Sequence, residues 1–232
     1  VCASELSTNS VSSLATCTMV SVHGVNTAMG RYPNTGYLPF QSFNGNSSIT
    51  SSSLNGSPNW TGASIAIRKN RWYIEPGVIT SQSGSTIYYT DGKLYTPIAG
   101  WGFFIQNDPR TLDQQNEWYY NPSNKKLQIY STSSPTGIQV ATTDTAFYSY
   151  YHNYITINGL DFKGANTTAI AFYTSNNFVI TNCNISYTGD VAVDGNNHSD
   201  YLDLENCAFS DIGSAGIFNA DQGTNWIIKN NT

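Results

Sequence analysis

From residue 155 onward the chain alternates apolar and polar positions in short runs, and the runs recur. Ile155-Thr156-Ile157-Asn158-Gly159-Leu160-Asp161-Phe162 returns as Phe178-Val179-Ile180-Thr181-Asn182-Cys183-Asn184-Ile185. It returns again as Leu202-Asp203-Leu204-Glu205-Asn206-Cys207-Ala208-Phe209, and a fourth copy starts at Trp226. The matched positions Ile157, Ile180, Leu204 and Ile228 are 23, 24 and 24 residues apart. A period of this length signals a solenoid. The intervening stretches "TAIAFY", "DVAVDG" and "AGIFNA" also alternate as strands do, which disfavours the return leg of a leucine-rich repeat. The pattern predicts an all-β fold, a right-handed parallel β-helix in which each repeat makes one coil.

One coil cannot bury its inward side chains alone, so equivalent positions must stack at the interstrand spacing of about 4.8 Å. Ile157, Ile180, Leu204 and Ile228 then form an interior ladder. Gly159, Asn182, Asn206 and Asn230 fall at a bend, where Gly and Asn accept left-handed backbone angles. Leu160, Cys183 and Cys207 should point inward just beyond it. The two cysteines read as small buried thiols filling a ladder, although their spacing also fits a disulfide.

The first 150 residues lack the period. "SSITSSSLNGS" (47–57) reads as a polar loop, "ASIAIRKNRWYI" (63–74) and "STIYYT" (85–90) as strands, and 116–131 as a hairpin around Asn-Pro-Ser-Asn. This divides the chain into an irregular β-rich portion, 1–150, of early coils or a cap, and regular coils over 151–232. The last copy stops inside its phrase, so the sequence reads as a piece of a longer chain.

Composition narrows the function. Of 232 residues only 11% are charged, and the formal net charge is −5. Ten Lys and Arg form no basic run, which removes the electrostatic footprint of nucleic-acid binding. No apolar run approaches the roughly 18 residues of a membrane helix. Cys2 and Cys17 are placed to close a short loop as a disulfide, an effect of about 3 kcal/mol.

"GRYPNTGYL" (30–38), "WTGASIAIRKNRW" (60–72) and "GWGFFIQNDPRTLDQQNEWYYNPSNKKLQIYS" (100–131) occur in this order ahead of the coils. That succession resembles large secreted right-handed β-helix proteins of Bacteroidetes-type bacteria, related to glycoside hydrolases and polysaccharide lyases. Their hairpin block carries Pro-Gly before Glu-Trp, where this chain has Gln115-Asn116. The resemblance implies a secreted or outer-surface protein, carried by components of a type IX secretion system, whose partner is a polysaccharide or surface glycan. It leaves open a hydrolase or lyase, a non-catalytic adhesin, and a passive cargo or stalk.

Hydrolysis needs two carboxylates about 5–9.5 Å apart. In "DVAVDG", Val191 and Val193 should point inward, leaving Asp190 and Asp194 outward and about 13 Å apart along the strand. In "LDLEN", Asp203 and Glu205 form an alternative outward pair about 7 Å apart on another sheet. His198 follows Asp194 in a turn, and Tyr173 and Tyr187 offer flat rings for stacking on sugars. Lyases use a basic residue and a charge-neutralising cation such as Ca2+. Only Lys163 and Lys229 serve the repeats, and no motif indicates Ca2+ or another metal.

Overall fold

The computed structural model describes residues 2–7, 15–219 and 223–232, with 2–7 described as backbone alone. The chain forms two compact units. One comprises Val1–Ser7, Ala28–Asn121 and Lys126–Ser134; the other comprises Thr8–Thr27, Pro122–Lys125 and Pro135–Thr232.

The second unit contains the coils. Three parallel sheets run through it, each built from strands one coil apart. The first sheet stacks Thr145–Tyr150, Thr168–Tyr173, Val191–Asn196 and Ala215–Phe218. The second stacks Thr156–Asn158, Phe178–Thr181, Leu202–Glu205 and Ile227–Lys229, and the third stacks Asp161–Ala165, Asn184–Thr188 and Ala208–Ile212. This is the parallel β-helix that the period calls for. Its coils begin at Thr145, one strand before the repeated phrase becomes legible.

Each sheet contributes a ladder to one core. Ile157, Ile180, Leu204 and Ile228 are register partners in the second sheet, as their spacing requires. The first three are buried, whereas Ile228 on the edge strand is exposed. Phe147, Ile170, Val193 and Ile217 form the ladder of the first sheet, and Phe162, Ile185 and Phe209 that of the third. Each enclosed aliphatic rung contributes about 1.5–3 kcal/mol. Inside, Phe172 stacks on Phe178 with centroids 4.6 Å apart, and Trp226 joins them at 5.9 Å from Phe172. Gly195 is the register partner of Phe172, and a Cβ there would meet the Phe172 ring at 2.5 Å.

The bends follow the expected chemistry. Gly159, Asn182, Asn206 and Asn230 all hold φ between 54° and 69°. The Asn182 amide donates to Asn158 Oδ1 at 2.9 Å, so side chains bond along the stack as well as the backbone. At the other bend the buried Ser149, Ser175 and Ser199 pass hydrogen bonds between coils, Ser175 N donating to Ser199 Oγ at 3.2 Å. Cys183 and Cys207 are buried free thiols, each donating to a carbonyl of its own coil at 3.3 Å. Leu160 departs from expectation: it follows the edge strand of the second sheet and is 52% exposed. Cys17 is also a buried free thiol, pushed up to about 12 by burial. The Cys2 side chain of the expected disulfide lies outside the described residues.

The sheets of the first unit are antiparallel, and one isolated parallel bridge joins Met29 to Trp118. Its main sheet runs Arg31–Tyr32, Gly102–Gln106, Ser64–Arg68, Ile74–Ser83, Thr86–Asp91, Ser48–Thr50, Ser42–Asn44, with Leu38–Pro39 beside Gly102–Gln106. Ile49, Ile65, Ile67, Ile79, Ile87, Phe103 and Ile105 make its core. The segment 47–57, read as a polar loop, instead supplies the strand Ser48–Thr50 and buries Ile49 and Leu54. One apolar residue between serines carries the strand, and alternation over so few positions is a weak signal. The hairpin pairs Trp118–Asn121 with Lys126–Ser131, and Cys2–Ser7 joins it as a third strand.

The ladder geometry sets two mutational costs. Ile180→Ala should lose about 2–5 kcal/mol by opening a cavity between rungs. Gly195→Ala should lose about 1–3 kcal/mol by driving a methyl into the Phe172 ring. Chemical unfolding of the two variants measures both; unchanged midpoints would contradict the stacking.

Candidate functional site

In the first sheet Ile170, Phe172 and Val193 point into the core, so alternation turns Ala171, Tyr173 and Asp194 to the outer face. One outer row reads Tyr148, Ala171, Asp194, Phe218, and the next reads Tyr150, Tyr173, Asn196. Tyr173 donates its hydroxyl to Asp194 Oδ2 at 2.7 Å, and the Asn196 amide donates to Oδ1 at 2.6 Å.

Asp194 is therefore outward, as the alternation predicts, but not exposed: only 9% of it remains accessible. Covering it withdraws water, and this burial pushes its carboxyl above the ordinary aspartate range. The Tyr173 hydrogen bond opposes the shift, and the negative charge of Asp190 adds to it. Tyr173 is itself pushed up by burial and by its bond to Asp194.

Asp190 sits at the bend ahead of Val191–Asn196 and is exposed. The two aspartates expected as an exposed pair on one strand thus differ: Asp194 is covered, with its carboxyl raised by burial, while Asp190 is exposed. Rings border Asp194. Tyr148 meets Tyr173 edge-on at 5.6 Å, Tyr150 and Tyr151 lie 4.2 Å apart, and all but Tyr173 are exposed. The face combines flat aromatic surfaces with a carboxyl suited to proton donation.

Two residues expected near this site lie elsewhere. Tyr187 belongs to the third sheet, donates to the Gly24 carbonyl and has Lys163 Nζ 5.1 Å above its ring. It lines a separate cavity of about 390 Å³ with Met19, Gln139 and Lys163. His198 is exposed in a left-handed turn.

The alternative pair occupies the outer face of the second sheet, as its alternation predicts. Glu205 forms an ion pair with Lys229, which holds its carboxyl below the ordinary range. Asp203 is raised, first by loss of water and then by its hydrogen bond to Glu205 and that residue's charge. Asp203 also lines a cavity of about 360 Å³ with Tyr154, Val179, Tyr201 and Ile227. Tyr154, Asn177, Tyr201 and Asn225 stack at one bend with φ of 61°, 59°, 60° and 59°. Asn accepts that angle readily, whereas the left-handed region costs a bulky L-residue about 1–2 kcal/mol. The two tyrosines were missed from the sequence, although alternate copies place Tyr where the others place Asn.

Among the described residues, no three His, Cys, Asp or Glu side chains converge as metal ligands would. No helix there is long and apolar enough to cross a membrane.

The Asp194 environment makes a testable pH dependence. A carboxyl raised on folding stabilises the fold below its unfolded value, near 3.9, and loses that contribution as pH rises through the folded value. Asp194→Asn removes the ionisation and should flatten the stability profile between pH 4 and 7. Thermal unfolding across that range measures it, and an unchanged slope would contradict the burial of this carboxyl.

Comparison with known proteins gives fold rather than activity. No family model matches the chain. No curated protein matches it either. Among solved structures, a glycoside hydrolase superimposes with a TM-score of 0.65 at 11% identity, over 86% of this chain and 54% of that one. The tailspike protein of a Pseudomonas phage aligns at 11% identity with a TM-score of 0.22, over 79% of this chain and 32% of that one. The chain thus spans about half the length of the hydrolase it resembles. At this identity the likeness is one of architecture, an all-β chain bearing a parallel β-helix.

Proposed function

We propose that the protein is an extracellular carbohydrate-active β-helix protein that holds a polysaccharide against the outer face of its first sheet. The observation that carries this reading is the contact of Tyr173 with a covered Asp194, whose carboxyl burial pushes above the ordinary range, bordered by the rings of Tyr148, Tyr150 and Tyr151. Sugar rings present flat C–H faces to aromatics and hydroxyls to carboxyl and amide groups, and the face supplies both. In a hydrolytic cycle Asp194 protonates the leaving glycosidic oxygen; Asp190, about 13 Å away along the strand, lies beyond the roughly 5–9.5 Å that a two-carboxylate mechanism spans. The only described cations of the repeats, Lys163 and Lys229, are engaged with Tyr187 and Glu205, which favours hydrolysis over elimination from a uronate.

A second reading, binding without turnover, draws on the cavity over Asp203. Two exposed tyrosines held at costly backbone angles, lining one cavity with Val179 and Ile227, suit retention of a glycan more than chemistry on it.

A panel of plant, algal and bacterial polysaccharides separates the two. If the first reading holds, Tyr148→Ala and Tyr150→Ala each weaken binding by about 1 kcal/mol, several-fold in Kd. Asp194→Asn then lowers turnover about 10²–10⁴-fold with binding retained. Binding that disappears in Tyr154→Asn and Tyr201→Asn, with no product formed by the wild type, supports the second reading. No binding to any glycan contradicts both.

A further inference from the structure

The first unit encloses a lysine. Lys69 follows the strand Ser64–Arg68, and its side chain is fully buried. Its Nζ lies 2.6 Å from Asp91 Oδ2 and 2.7 Å from Glu75 Oε2, and it donates to Asn46 Oδ1 at 3.1 Å. The Asp91 and Glu75 side chains are likewise shut off from solvent. The buried Tyr89 ring lies over the amine at 5.9 Å.

The arrangement is tightly set. Glu75 is on the middle strand of three neighbours, with Lys69 at the end of one outer strand and Asp91 at the end of the other. Gly77 faces Asp91 in the register, and a Cβ there would meet the Thr90 carbonyl at 2.6 Å. Gly92 likewise leaves room for Glu75 Oε1, which a Cβ would meet at 2.7 Å. Lys93 N donates to Asp91 Oδ1 and Leu94 N to Glu75 Oε1, so backbone donors fix both carboxyl groups.

A structural ion pair is one use of such a cluster, but it is an uneconomical one. One cation against two carboxylates leaves a net negative charge in a dry interior, where even a balanced pair is often no better than apolar packing. Covalent condensation removes two of the three charges. Amine and acyl carbon are held together by the fold, which replaces an encounter in solution with a positioned intramolecular one. The third group, a carboxylate touching the same amine, is what proton transfer during acyl transfer requires.

We propose that Lys69 and Asp91 condense to an intramolecular isopeptide bond, with Glu75 as the proton carrier. The Lys69 ammonium first gives a proton to Asp91 Oδ2 across their 2.6 Å ion-pair contact, leaving a neutral amine beside a neutral carboxylic acid. Nζ attacks Cγ of Asp91, forming the C–N bond and a tetrahedral centre. Glu75 takes the second proton from Nζ and delivers it to the hydroxyl oxygen of that centre. The C–O bond breaks, water leaves, and Glu75 returns to its carboxylate. One ammonium and one carboxylate become one amide and one water, with no further reactant. The Lys69 contact holds the Glu75 carboxyl below its ordinary range despite burial, which keeps it a carboxylate ready to accept the proton.

Mass spectrometry of the whole protein, reduced and denatured, tests this directly. The expected mass is that of the sequence less one water, and fragmentation should recover the peptides of Lys69 and Asp91 joined. Lys69→Met should keep its full mass, and Glu75→Gln should keep full or mostly full mass. A wild-type chain at full sequence mass overturns the proposal whether or not the variants fold. Loss of ammonia with Lys69 joined to Asn46 also overturns it, because the acceptor would then be the amide.

Discussion

Register between coils is the constraint on which the rest of the second unit depends. A coil has too few inward side chains to enclose a core, so each rung is buried by the rungs beside it. Ile180 is covered because Ile157 and Leu204 flank it, and Ile228 is exposed because it lies on an edge strand. The same requirement places Gly195 opposite Phe172, where any larger residue would enter the ring. Period, ladder and bend are three expressions of one stacking rule.

Function on such a scaffold is a consequence of the opposite face. Once inward positions are fixed, alternation fixes the outward ones, and stacking brings residues distant in sequence into one row. Tyr148, Ala171 and Asp194 meet in this way, with Tyr173 in the row beside them. A small residue at 171 and a long one at 173 allow the tyrosine hydroxyl to reach the neighbouring strand's carboxyl. Burial under tyrosine and asparagine, rather than a strong local charge, is the chief cause that lifts Asp194. On the second sheet loss of water is the chief cause that raises Asp203, while Lys229 beside Glu205 holds that carboxyl down.

The sequence made legible what repeats. The aliphatic rungs, the left-handed Asn bends, the packed thiols and the outward set of Asp203 and Glu205 all follow from matched copies. Features set by neighbours in space were less visible. Thr145–Tyr150 forms a coil strand without the Asn-Cys phrase, and Leu160 occupies a rung position but remains exposed at the edge. Asp194 has the alternation of an exposed residue and the environment of a covered one, because Tyr173 of the neighbouring coil reaches over to it beside Asn196 of its own strand. Ile49 was hidden by its serine neighbours. Lys69 lies in "RKNR", where charge suggests solvent; only the antiparallel sheet shows that this lysine turns inward to Glu75 and Asp91.

The stack itself can be read by nuclear Overhauser contacts in a methyl-labelled, ring-labelled sample. The account predicts a continuous chain of contacts from the Ile157 methyls to Ile180 and on to Leu204, together with ring contacts between Tyr148 and Tyr173 on the outer face of the first sheet. Absence of the methyl chain, or methyl contacts to residues not one coil away, would contradict the register and with it the outer face on which the glycan reading rests.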